Sequence, residues 1–129
     1  MSLSRQQRFS RARISARAVR QFVGDTLAEW GLSERRDDIR LCASELAANA
    51  VLHGVPLGRE FSVRLTREEG ELWIEVRDSG PGCPAPRQPD SEAQRGRGLW
   101  MVTALSDKFE IRDEAFGKTV RAGFKLLCD

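Results

Sequence analysis

Three polar side chains recur on one face of a predicted helix. Glu45, Asn49 and His53 stand at i, i+4 and i+8 in the stretch LCASELAANAVLHG. At about 100° per residue they cover roughly 80° of the helix circumference, so they share a face. The opposite stripe is apolar or small and is expected to face a core: Ile39, Cys42, Ala43, Leu46, Ala47 and Ala50. Because a mid-helix asparagine is locally unfavourable, the polar line indicates either a site or a solvated face.

The chemistry available to this line is metal binding and proton transfer. The amide of Asn49 supplies an oxygen ligand of the kind that Mg²⁺ prefers. Glu45, one turn earlier, could accept the proton of an attacking hydroxyl as a general base. His53 either contacts the same site or packs beside it.

Two glycine-bearing stretches downstream could complete a nucleotide site. Asp78-x-Gly80-x-Gly82 follows a predicted strand, and the acceptor-only carboxylate of Asp78 could receive a hydrogen bond from the amine of adenine or could simply form a turn. Glycines at 80 and 82 allow a close approach of the backbone to a ligand. The long region 77–97, rich in glycine, proline and charge, is typical of a functional lid or of disorder.

The second glycine-bearing stretch opens a predicted helix. Gly96-x-Gly98-Leu99 would place unpaired N–H groups and a positive helix end beside phosphates. Arg95 and Arg97 bracket this turn, and they either contact a phosphate or point into solvent.

The elements that must position these residues are predicted from hydrophobic periodicity. Ile14 to Trp30 has helical spacing and ends at Gly31, and Ser33 is the expected N-cap of the next helix. Strands with alternating apolar residues are predicted over 61–66 and 72–76, a short helix over 98–106, and a closing hairpin over 108–127. The predicted fold is α+β: a two-layer sandwich with a mixed, mostly antiparallel sheet covered on one face by helices. Residues 1–129 form one domain, with 1–12 flexible or forming a short edge strand.

Composition narrows the functional classes. The chain has 129 residues, a net charge of +2 and 40% hydrophobic residues, which is typical of a soluble protein and gives no case for nucleic-acid binding. No run has the length of a membrane span and the start lacks the apolar core of a signal peptide, so a cytoplasmic location is expected. Cys42, Cys83 and Cys128 suit neither a disulfide framework nor a zinc site. Arginines crowd the first twenty positions, which indicates a solvated segment, an acidic partner surface or a DNA-binding helical hairpin: Arg5, Arg8, Arg11, Arg13, Arg17 and Arg20.

Two other nucleotide motifs fail on particular residues. Gly117-Lys118-Thr119 resembles the end of a P-loop, but the earlier glycine of that motif would fall at Arg112. Gly80-Pro81-Gly82 could begin a dinucleotide fingerprint, but Pro84 and Pro86 prevent the helix that must follow.

The three stretches together resemble the N, G1 and G2 boxes of the GHKL ATPase superfamily: Glu45-x-x-x-Asn49, Asp78-x-Gly80-x-Gly82 and Gly96-x-Gly98-Leu99. With GRGLWMV and the GKTV of the closing hairpin, the chain is most similar to the anti-sigma-factor serine kinases. The single histidine lies inside the N box, so no phosphohistidine relay is expected within this chain.

The resemblance implies a function and partners that the residues alone do not. It implies ATP and Mg²⁺ as cofactors, Glu45 as the catalytic base and Asn49 as the metal ligand. It also implies phosphorylation of a serine or threonine on an anti-anti-sigma protein of the STAS type, binding of a sigma factor, and a homodimer, with no direct contact to nucleic acid or membrane. The alternative is a regulatory module that binds ATP and transfers nothing.

Overall fold

The computed structural model describes residues 2–51, 59–78, 99–114 and 117–127, with positions 78, 113 and 114 described for their backbone alone. The described elements follow one another as β1 (Leu3–Ser10), α1 (Ile14–Glu29), α2 (Arg36–Asn49), β2 (Glu60–Glu68), β3 (Glu71–Asp78), α3 (99–105), β4 (Lys108–Glu114) and β5 (Gly117–Lys125). The helices cover one face of a single five-stranded sheet. The predicted α+β class is therefore confirmed.

Helix α1 follows its predicted periodicity and ends at the predicted glycine. Gly31 has a φ of +72°, which favours glycine. Its N–H donates to the carbonyl of Ala28 at 3.1 Å, and the N–H of Leu32 donates to the carbonyl of Leu27 at 2.9 Å. This pair of hydrogen bonds is the Schellman motif, which satisfies the last carbonyls of the helix. Among the described helices, none combines the length and the hydropathy that a membrane span needs.

The start of α2 differs from the prediction that Ser33 is its N-cap. The helix begins at Arg36, and the residue before it, Arg35, has a left-handed backbone with a φ of 59°. No side chain caps this end. Asp37 and Asp38 instead place negative charge in the first turn, where it interacts favourably with the helix dipole. Local capping is replaced by contacts that Arg35 makes with distant parts of the chain.

Arg35 ties the start of α2 to two later elements. Its guanidinium donates to the carbonyl of Leu105 at 2.7 Å and to the carbonyl of Lys125 at 3.2 Å, and it pairs with the carboxylate of Asp107. The backbone N–H of Lys125 and then the Arg35 guanidinium hold the pKa of Asp107 below its ordinary value. These contacts offset the roughly 1–2 kcal/mol that a left-handed backbone costs a residue with a side chain.

The sheet has the strand order β1-β2-β3-β5-β4, and every described pairing is antiparallel. The sheet described is thus antiparallel rather than mixed. Strand β1 lies at one edge, as expected for a polar first segment, with Phe9 opposite Phe61. Glu69 and Gly70 join β2 to β3 with φ values of 50° and 76°, which is typical of a two-residue type I′ turn.

The core lies between the sheet and the helices. Phe61, Ile74 and Phe124 are fully buried on the helix-covered face of β2, β3 and β5. Phe9 joins β1 to both layers, because its ring centroid lies 5.8 Å from those of Phe22 and Phe61. The alternating apolar positions expected in the three inner strands are all buried: Val63, Leu65, Leu72, Val76, Val120 and Ala122.

The other face of the sheet has no described helix on it and is organised by charge. Glu75 of β3 accepts a hydrogen bond from Arg64 Nε at 2.6 Å and lies 2.9 Å from Arg121 Nε. Arg121 reaches Glu110 on β4 at 3.2 Å, and its guanidinium carbon lies 4.2 Å from the ring centroid of Trp73. This ladder of charges crosses four strands, because β2, β3, β5 and β4 are neighbours in that order.

Candidate functional site

Glu45 and Asn49 lie one turn apart on one flank of α2, and both are half-buried. Within the ranges that the structure describes, neither side chain has a hydrogen-bond or ion-pair partner. Half-buried polar groups normally find a partner in the protein or in water. Both side chains are thus unpaired within the described residues, which is compatible with a site and with a solvated face.

The end of α2 beyond Asn49 is fixed by an arginine from the segment after β1. Arg11 Nε donates to the carbonyl of Val51 at 2.8 Å, which satisfies one of the last carbonyls of the helix. The backbone N–H of Arg11 donates to the carbonyl of Arg59, one residue before β2, at 3.1 Å. Arg11 thus holds the end of the site helix beside the start of β2.

These contacts bring Asn49 to the end of the sheet where β3 stops. Phe61, near the start of β2, pairs with Asp78, the last residue of β3. The start of α2 lies at the opposite end, where Arg35 contacts Lys125. Helix α2 and strand β3 both start at the Lys125 end, so they run in the same direction. Their lengths are similar, about 20 Å for α2 and about 23 Å for β3. Asn49 and the backbone of Asp78 are thereby placed at one end of the molecule.

A further polar residue lies at this end. Thr119 of β5 is paired with Arg77, the residue before Asp78, and only 8% of its surface is exposed. Because Val120 faces the core, alternation places the Thr119 side chain on the open face of the sheet, away from Glu45 and Asn49. In the sequence Thr119 stands in GKTV and in the rejected P-loop match, and neither motif indicates its position beside β3.

The other predicted site residues are only partly covered. Leu99 is the first described residue of α3; it is half-buried and packs against the core, next to the fully buried Val102. The remaining candidates lie outside the described residues: His53, Gly80, Gly82, Arg95, Gly96, Arg97 and Gly98. The structure thus brings together Glu45, Asn49 and the strand position of Asp78.

A family of known protein domains matches most of this sequence. The family model of the histidine kinase-like ATPase domain matches residues 9–124 of the 129. The chain belongs to the histidine kinase-like ATPase domain family. Membership in this family implies that the chain binds ATP, as the three glycine- and asparagine-bearing stretches indicated.

A solved structure shares the fold of this histidine kinase-like ATPase domain. It is the crystal structure of the RsbU and RsbW domains of Rv1364c from Mycobacterium tuberculosis, with a TM-score of 0.70 and 24% sequence identity. The match covers 96% of this chain and 32% of that one, so the chain spans about a third of the matched protein. No curated protein sequence matches the chain.

The cysteine on the site helix of this ATPase domain is a core residue. Cys42 is fully buried, and burial, followed by repulsion from Asp38, raises the pKa of its thiol to about 12. A thiol of that pKa is protonated at neutral pH and is a poor nucleophile. The prediction of a core role for Cys42 is confirmed, whereas Cys83 and Cys128 lie outside the described residues.

Proposed function

We propose that this ATPase domain is a protein serine/threonine kinase that acts as an anti-sigma regulatory factor and phosphorylates an anti-anti-sigma protein. The observation that carries the proposal is the open polar flank of α2, where Glu45 and Asn49 lack partners among the described residues. Family membership supports ATP as the phosphoryl donor. The resemblance of GRGLWMV and GKTV to anti-sigma-factor serine kinases supports the class of partner.

The residues fit an ATP·Mg²⁺ complex. Mg²⁺ takes few protein ligands besides phosphate oxygens and water, so a single amide oxygen from Asn49 suits it. In the proposed site Asp78 accepts the adenine amine. The phosphates lie against the two glycine-bearing stretches, whose proposed contact residues are Gly80, Gly82, Gly96, Gly98 and Leu99. His53, Arg95 and Arg97 are proposed to lie beside them. The bound metal would neutralise negative charge on the phosphates.

Glu45 is the proposed general base. The hydroxyl oxygen of the partner's serine forms a bond to the γ-phosphorus, and the bond from that phosphorus to the bridging oxygen of ADP breaks. The proton of the hydroxyl passes to the carboxylate of Glu45, and ADP leaves. Positioned general bases typically contribute about 10²–10⁴-fold to such a rate.

The proposal includes partners and a location. The resemblance supports a sigma factor and a STAS-type anti-anti-sigma protein as alternative partners, bound by a homodimer in the cytoplasm. In this proposal the choice between the two partners depends on the bound nucleotide.

The experiment compares three variants in nucleotide binding and in phosphoryl transfer. ATP·Mg²⁺ at about 100 times its Kd should stabilise the wild type by roughly 2.7 kcal/mol, and Asp78→Asn should remove most of the resulting rise in Tm. Glu45→Ala should keep that rise but slow transfer to the serine-bearing partner by about 10²–10⁴-fold. Asn49→Ala should weaken Mg²⁺-dependent binding as well as transfer.

Ser44→Ala is the matched control. Ser44 neighbours Glu45 on α2 but donates its hydroxyl to the carbonyl of Leu41, about 100° around the helix from the site flank. This variant should keep both binding and transfer. If the wild type binds ATP but phosphorylates no partner, the kinase proposal fails and an ATP-gated binding module takes its place. If ATP has no effect on Tm, the nucleotide site itself is wrong.

A further inference from the structure

The surface between α1 and α2 carries a groove that the nucleotide site does not use. The groove has a volume of about 310 Å³ and is lined by Arg20, Asp37, Arg40 and Leu41. Arg40 and Asn49 are nine residues apart on α2, which places them roughly 180° apart around the helix. Arg40 is therefore on the opposite side of the helix from Asn49, whereas Leu41, at the other edge of the groove, stands one turn before Glu45.

The Arg40 side chain is held at the groove but is not satisfied there. It lies across α1 at Gly24, where an added Cβ would come within 3.2 Å of Arg40 Nε. That Nε is buried and has no hydrogen-bond partner. A buried donor without an acceptor costs about 1–3 kcal/mol, more for a charged group, so the Arg40 guanidinium is not compensated by the described residues.

Further arginines extend the positive charge along the same rim. Arg13, Arg17 and Arg20 recur at i, i+4 and i+7, so they line up with Gly24 on the side of α1 that faces α2. Arg36 stands one turn before Arg40 on α2. None of these arginine side chains has a hydrogen bond or ion pair within the described ranges. The stripe from Arg13 to Arg20 is about 10 Å long, which suits an elongated ligand.

We infer that the α1/α2 groove docks an acidic segment of a partner protein, with glutamate or aspartate carboxylates on Arg20 and Arg40. Guanidinium groups bind carboxylates through paired hydrogen bonds. Asp37 gives the groove an acceptor for backbone N–H groups, and Leu41 gives it an apolar contact for aliphatic stems. A polypeptide has backbone N–H groups that can donate to Asp37, whereas a nucleic-acid backbone has acceptors only. This mixed lining favours a polypeptide.

The test uses a blocked oligoglutamate peptide as the probe, titrated into ¹⁵N-labelled full-length protein without nucleotide. Omitting nucleotide keeps a failure of this inference distinct from a failure of the proposed kinase. The backbone amides of Arg20, Gly24, Arg40 and Leu41 should shift, and added salt should weaken the binding because exposed charges are screened. An oligoglutamine peptide of the same length should not shift them.

A double variant and a matched control distinguish binding in this groove from a general effect of the protein's net charge. Arg20→Gln with Arg40→Gln keeps both aliphatic stems and should weaken peptide binding about tenfold or more, roughly 1.4 kcal/mol. Arg8→Gln with Arg112→Gln removes the same charge from exposed positions on the open face of the sheet and should leave binding within about twofold. A Tm measurement verifies that both double variants are folded.

Four results would overturn the inference. The first is equal weakening in the two double variants, and the second is shifts confined to the sheet. The third is displacement of the peptide by inorganic phosphate at equal concentration, which would show a small-anion site. The fourth is tighter binding of a single-stranded oligonucleotide to the same amides, which would show a nucleic-acid surface.

Discussion

The two faces of the sheet are held by different forces. On the covered face Phe61, Ile74 and Phe124 are fully buried against helices. Hydrophobic burial and close packing stabilise this face. On the open face Trp73 lies against a glycine, and Arg121 joins two strands through carboxylates. The covered face therefore carries most of the stability, while the open face fixes how neighbouring strands are aligned.

The largest expected effect is on the covered face. Ile74→Ala should lower the free energy of unfolding by about 2–5 kcal/mol, because it leaves a cavity in a fully buried position. Ile111→Ala is the matched control on the edge strand β4, where the side chain is 39% exposed, and it should cost about 1 kcal/mol or less. Ile111 pairs with Val120 and so faces the same side of the sheet, which makes the degree of burial the tested difference. Chemical denaturation measures both, and equal losses would show that burial does not set the cost.

An intermediate effect is expected where the open face is tightly packed. Gly123 is paired with Trp73, and an added Cβ would lie 2.9 Å from two atoms of the indole ring. Gly123→Ala should therefore cost about 1–3 kcal/mol through overpacking. In a Trp73→Ala background the same change should cost much less, and the double-mutant cycle measures the difference. The same cost in both backgrounds would show that the ring is not the cause.

The smallest expected effect is a pH dependence on the open face. The Lys108 ammonium, whose nitrogen lies 2.7 Å from the Glu71 carboxylate, holds the pKa of Glu71 below its ordinary value. The resulting stability is present above the unfolded pKa of about 4.3 and is lost as the pH falls through the lower folded value. Glu71→Gln and Lys108→Gln should each flatten the pH dependence of the free energy of unfolding. A double variant that is flatter than either single variant would count against a shared ion pair.

The residues of the covered face could be predicted from the sequence because the alternation of apolar and polar residues within each strand determines them. Alternation in β2 and β3 assigned the buried side of each strand. The open face could not be predicted in this way. Trp73 and Gly123 are fifty residues apart in sequence, and nothing near either residue indicates the other.

In the candidate site, too, the features set by local spacing could be predicted and those set by distant contacts could not. The spacing of Glu45 and Asn49 was sufficient to place them on one flank of α2, because helical periodicity is local. The contact from Arg11 to Val51, which fixes the end of that helix, joins residues forty positions apart and has no signature in the sequence. The expected N-cap at Ser33 was wrong for the same reason, since Arg35 exchanges local capping for contacts with Leu105 and Lys125.

The contact between Arg35 and Leu105 fixes one end of α3, about which the helix can tilt. Helix α3 is held at its last residue, Leu105, by the Arg35 guanidinium, and at its middle by the buried Val102. Its other end, at Leu99, follows directly on the second glycine-bearing stretch. The helix is about 10 Å long, so a tilt of about 10° about Leu105 displaces Leu99 by about 2 Å and leaves Leu105 in place. A displacement of Leu99 is therefore transmitted through Leu105 to Arg35, the residue before α2, and through Asp107 to strand β5.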